Sequence, residues 1–227
     1  MAQAPSNLTI RRLRTPRAAA VAGILFALLL STALVLFRLS IPIDASDNGA
    51  WLQGQARTIS LALSLVPFAG IAFLWFMGVV RDRLGHLEDQ FFSTVFIGSG
   101  LLYLGLSFVA AADAGALLTL EPDKLVRDNT YVLGRMLMYQ TSNIYALRMS
   151  AVFMISLGTI WLRTGTMPRW LAFVTYALAL FLLLSISLSP WFTLIFPAWV
   201  LVISVYILVG NLRTRSASAE ESSPETA

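Results

Sequence analysis

Apolar residues run along this chain in blocks separated by short polar stretches. Six blocks are long enough to cross a hydrocarbon core, which needs roughly 20 predominantly apolar residues per helix. They fall at 18–37, 59–80, 91–112, 144–162, 170–188 and 191–210. The first block is longer than the apolar core of a cleaved leader, so it reads as a span. Pro67 sits in the middle of the second and predicts a kink, because proline removes a backbone hydrogen bond. Gly98, Ser99, Gly100 and Gly105 give the third a small-residue face expected at the bundle centre, and Asp113 is expected to end that span. The connections carry the polar residues: 38–55 with Pro42, Asp44, Asp47, Asn48 and Gly49, then RDRLGHLEDQ at 81–90, RTGTMPR at 163–169, and Ser189-Pro190.

The segment 114–143 does not span and is not plain loop. After Pro122 and the polar run 123–130, Leu133, Met136, Leu137 and Gln140 recur at helical spacing. This predicts either an amphipathic helix on the outer face or an extension of the fourth span, and the pattern leaves open whether 131–162 is one helix. The expected fold is therefore all-α, an integral membrane bundle of six transmembrane helices over 18–210. A basic tail, 1–17, precedes it, and a Ser- and Glu-rich tail, 211–227, reads as disordered.

Composition agrees. The chain is 57% hydrophobic and 12% charged, against about 25% charged in soluble domains. The net charge of +4 would point to nucleic acid in a soluble protein, but here the basic residues flank spans and set orientation, so no nucleic acid is expected. With the N-terminus inside, Arg11, Arg12, Arg14, Arg17, Arg81, Arg83, Arg163, Arg169, Arg213 and Arg215 face the cytoplasm. Only Arg38, Arg57, Lys124, Arg127 and Arg135 face outward. That asymmetry predicts both termini in the cytoplasm. Trp51, Trp161, Trp170 and Trp191 fall near the predicted interfaces, and the N-terminal arginines suit anionic headgroups. The bilayer itself is the first expected partner.

Candidate chemistry is sparse. No cysteine and a single histidine, His86, exclude thiolate centres, disulfides and multi-histidine metal sites within one chain, and no cofactor is expected. Arg148 lies inside the fourth span, where a central arginine costs ~2.5–3.5 kcal/mol on insertion scales. It reads either as an anion contact in an outward cavity, with Tyr145 and Asn143 within about a turn, or as an internal partner of Asp113 or Asp44, or as a snorkelling side chain. In the loop after the second span, Arg81, Asp82, Arg83, His86, Glu88 and Asp89 form a candidate partner patch; the alternative is a solvated loop that fixes topology.

Gly98-Ser99-Gly100 invites comparison with rhomboid intramembrane proteases. Their Gly-x-Ser-Gly turn is not met, because Ile97 stands two before Ser99 and the histidine lies outside the spans. A retinal Schiff base fails as well, since Lys124 is in an outer segment. No catalytic residue is assigned. The absence of mid-span acids argues against proton- or sodium-coupled transport.

At RDRLGHLEDQFF (81–92), NIYALRMSAVFM (143–154) and RTGTMPRWL (163–171) the chain resembles a group of bacterial multi-pass membrane proteins with no assigned activity. The resemblance implies a bacterial inner-membrane location and carries no site residues. The function expected from the residues is a non-enzymatic component that binds a membrane-protein partner, a second copy of itself or lipid. The alternative is a small-molecule carrier or channel with an outward cavity near Arg148.

Overall fold

The structure, a computed structural model, describes residues 15–42, 54–84, 90–119, 130–165, 167–185 and 189–221. These form α1 (Thr15–Ser40), α2 (Ala56–Leu84), α3 (Gln90–Thr119), α4 (Thr130–Gln140), a π-helical segment (Thr141–Ala146), α5 (Leu147–Thr164), α6 (Arg169–Leu184), a 3-10 turn (Pro190–Leu194) and α7 (Ile195–Glu221). No strand occurs among the described residues. Helices are what apolar runs must form in lipid, where every backbone polar group has to be satisfied within its own segment. Five helical runs are long and apolar enough to cross a membrane: Ala18–Ser40, Ala56–Asp82, Phe91–Thr119, Thr130–Thr164 and Pro190–Gly210. The apolar α6 is shorter, 16 residues or about 24 Å.

α1 packs against α2 and α7, α3 against α2, α4 and α5, and α5 against α6. Aromatic rings tie the layers together. Phe26 of α1 meets Phe73 of α2 at 4.6 Å, and Phe73 meets Phe153 of α5 at 5.3 Å. Tyr103 of α3 meets Phe196 of α7 at 4.6 Å. Such pairs are worth about 0.5–1.5 kcal/mol each beyond area. In lipid, where burying apolar surface between helices gains little, this packing is the main cohesive term. Hydrogen bonds hold α6: Trp199 Nε1 donates to Thr175 Oγ1 at 3.0 Å, and Thr159 and Tyr176 share one at 2.7 Å.

The polar punctuation ends helices as the sequence predicts in two places. Gly165 caps α5 at φ 62°, a left-handed conformation that suits glycine, and Ser189 accepts from the backbone N–H of Trp191 ahead of the 3-10 turn. Pro67 lies inside an α2 that continues on both sides of it. Pro197 falls in the first turn of α7, where the missing N–H has no helical partner to lose.

Elsewhere the boundaries move. α1 includes Arg38 and ends at Ser40, so Arg38 belongs to the helix and not to the connection. α3 passes through Asp113 to Thr119, because Asp113 is only partly buried and the following Ala-Gly-Ala-Leu-Leu stays apolar. The runs 130–140, 141–146 and 147–164 are continuous, which selects the extension over a separate surface helix. At about 52 Å that run exceeds the ~30 Å hydrocarbon thickness. α7 continues past Gly210 to Glu221, in a stretch that composition reads as disordered; Leu212, Arg213, Arg215, Ala217 and Ala219 are good helix formers. Trp161, expected at an interface, is buried with its ring 6.0 Å from Trp199. Of the small-residue face, Ser99 and Gly100 are buried, and a Cβ at Gly100 would collide with Met77 and Phe153. Gly98 and Gly105 have open space around them.

Candidate functional site

The described residues line a partly open cavity of about 400 Å³, within the range of small-molecule sites. Its walls are the C-terminal part of α1 from Leu30 to Pro42, Val66 of α2, and α3 from Tyr103 to Ala114. The start of the 130–164 run and Pro190 and Thr193 of the 3-10 turn complete it. All of these lie toward the α1 C-terminal end of the bundle. Measured along α1 from Leu30 to Arg38, the lining rises by eight residues, or about 12 Å. Most of it is apolar: Leu30, Ala33, Leu34 and Phe37 on one side, Ala110, Ala111 and Ala114 on the other. Small residues on α3 leave the space that larger side chains would fill.

The charged groups gather at one end with Asn143, while Tyr103, Ser107 and Thr193 also line the wall. Arg38 Nη2 donates to Asn143 Oδ1 at 2.6 Å, joining residues 105 apart in sequence. Asn143 Nδ2 donates to the Tyr139 carbonyl at 3.1 Å and to Ser142 Oγ at 2.9 Å, which sets its side-chain amide with the oxygen toward Arg38. Arg135, 8% exposed, donates from Nη1 to Tyr131 Oη at 3.0 Å and from Nη2 to the Pro42 carbonyl. Its guanidinium also lies over the Tyr131 ring, 5.9 Å from the centroid.

The π segment accounts for this placement. Its wider turn rotates the following side chains away from the positions a regular helix would give them, and short π segments recur at functional positions for that reason. Here Ser142, Asn143 and Ala146 of the segment all face the cavity. Two polar atoms beside this cluster are buried without a hydrogen-bond partner, Arg38 Nε and Ser40 Oγ. Such atoms in a folded protein call for an explanation.

Of the residues singled out in the sequence, Asn143 is in the cavity wall. Tyr145 and Arg148, on either side of the lining residues Ala146 and Leu147, do not line it themselves; Tyr145 is 57% exposed and Arg148 partly so. Asp113 is also absent from the lining, although Ala110, Ala111 and Ala114 around it are present. Among the described residues neither Arg148 nor Asp113 has a hydrogen-bond or ion-pair partner, and the two are not paired with each other. Asp44, the other acid considered for Arg148, lies outside the described residues, as does Trp51. Arg81 and Asp82 are exposed on the last turns of α2, about 22 Å along the helix from Val66. Arg83 belongs to the same helix, while His86, Glu88 and Asp89 lie outside the described residues.

Arg38 and Arg135 are the residues that the sequence reading missed as site residues, since both count there as outward topology charges. One signal was legible: Tyr131 and Arg135 are four apart on a helical pattern, a spacing that stacks a guanidinium on an aromatic ring. No groups of three or more metal-ligating side chains occur among the described residues.

The long apolar helices are those of an integral membrane helical bundle, and the cavity is a partly open, ligand-sized space among them. No protein-family model matches the chain, and no curated protein or solved structure matches it.

Proposed function

We propose that this protein is a six-span component of the bacterial inner membrane, with both termini in the cytoplasm, that binds a lipid-like amphipathic molecule and does not transform it. The observation that carries this reading is the cavity: a largely apolar trough with Arg38, Arg135 and Asn143 together at one end. An amphiphile has the same division. Arg38 stands two residues from the end of α1, so the polar end of the cavity lies near the depth of lipid headgroups, on the outer side in the N-inside arrangement. In this reading the polar end of the ligand meets Arg38, Asn143 and Arg135.

The test is thermal stability of the protein in zwitterionic nanodiscs, against amphiphiles and water-soluble solutes, since a ligand of the native state raises its midpoint. The expected outcome is a shift with amphiphiles that Ala110→Phe, which fills the cavity, removes. Arg148→Ala, outside the cavity, should keep it. An amphiphile shift that survives cavity filling would overturn the reading.

A carrier for the same ligand is the second reading. The π segment favours it, because a break in regular helical register beside a binding space is where such a helix can rearrange. Ligand-dependent flux across vesicles, beyond that of protein-free vesicles, would select it.

A further inference from the structure

Resting on the reading of the cavity as an amphiphile site, we infer that the ligand's polar end is an anion presenting two oxygens, a carboxylate or a phosphate monoester, and that Arg38 is its principal contact. A guanidinium in a membrane span is costly unless something offsets its charge. The partner given to Arg38 is neutral: its Nη2 meets the amide oxygen of Asn143 at 2.6 Å. Asn143 is committed elsewhere through both hydrogen bonds of its own amide nitrogen, so its orientation is set by the π segment and not by Arg38.

The neighbouring Nε of Arg38 is buried and has no partner. Nε and Nη2 form one edge of the guanidinium, and an edge with two parallel N–H groups is the geometry that takes a carboxylate or phosphate in bidentate fashion. Arg38 thus carries half of an unused fork. Among the described residues that line the cavity there is no Asp or Glu, so the lining supplies no carboxylate to Arg38.

Dimensions narrow the class further. Between Leu30 and Arg38 the α1 wall is eight residues long, about 12 Å, and apolar apart from its end. A free inorganic anion would leave that length unfilled, and a neutral chain would leave the fork unfilled. A medium- to long-chain acyl carboxylate or alkyl phosphate fills both.

The experiment compares, on the wild-type protein in zwitterionic nanodiscs, dodecanoate and dodecyl phosphate with dodecanol, acetate and inorganic phosphate, reading binding by thermal midpoint and by isothermal titration. Dodecanoate and dodecyl phosphate are expected to bind on the order of tenfold more tightly than dodecanol, the difference that charge-assisted hydrogen bonds supply. Acetate and phosphate should give no shift. Arg38→Gln should abolish the preference for the charged chains while keeping the dodecanol response. Arg38→Lys, which retains the charge but not the fork, should keep only part of that preference.

Equal binding of dodecanoate and dodecanol would overturn the anion assignment and leave the amphiphile cavity standing. A response to acetate or phosphate as strong as to dodecanoate would sustain the anion and overturn the chain. No response to any chain would overturn the cavity reading itself. Because the decisive comparison is made on the wild type, a variant that does not fold leaves it intact.

Discussion

Asn143 shows how one side chain can hold a buried cation ready without neutralising it. Its oxygen faces Arg38 because its nitrogen is occupied by the Tyr139 carbonyl and Ser142. Asn143→Leu removes that acceptor and strands a guanidinium N–H away from water. It should cost about 1–3 kcal/mol, read as a lowered unfolding midpoint. Asn143→Asp makes the opposite change: it places a carboxylate at the position a ligand anion would need. Its expected outcome is a ligand-free midpoint at least as high as wild type, from a close ion pair, together with loss of the dodecanoate response. A variant that still responds to dodecanoate as wild type does would show that the anion is held elsewhere.

At the scale of elements, the cavity exists because a regular helix gives way to a π segment over Thr141–Ala146. Deleting Thr141 removes the extra residue of the π segment and lets it close to α-helical hydrogen bonding, which takes away the wide turn that carries Ser142, Asn143 and Ala146. Asn143 and Arg38 would then part. We expect the deletion variant to keep its helical circular dichroism and lose the amphiphile-dependent stabilisation. Unchanged stabilisation would mean that the π segment does not shape the site. The tight core beneath is a different kind of element-level feature. At Gly23 a Cβ would strike Ser204 and Phe76, so α1 approaches α7 and α2 more closely than any other residue would permit.

At the scale of the whole molecule, topology decides which leaflet meets the cavity. The chain contains no cysteine, so single cysteines can report on sides without background. With both termini in the cytoplasm, Ser6→Cys and Ser222→Cys should react with a membrane-impermeant maleimide only in inside-out vesicles. Gln55→Cys, ahead of α2, should react in intact cells. The reverse labelling pattern would turn the cavity toward the cytoplasmic leaflet and change the pool of amphiphiles it can reach.

Much of the architecture is a property of the sequence alone. Blocks of apolar residues dictate helices because lipid supplies no partner for backbone N–H and C=O groups, and the basic residues beside them carry the expectation of orientation, because charges resist transfer across the bilayer. The helical spacing of Leu133, Met136, Leu137 and Gln140 was legible for the same reason, and Asn143 stood out as a polar residue at the edge of a span. The site was not legible as a site. Arg38 and Arg135 look like ordinary flanking charges in the sequence, and Arg148, deepest in its span, attracts the eye instead. Which arginine meets Asn143 depends on how α1 lies against the 130–164 run, a contact across 105 residues that no local pattern encodes. The volume beside it depends on small residues of α3 facing α1 at the right height. A side chain's span and depth follow from local hydrophobicity; what it faces follows from packing, and only the tertiary structure decides that.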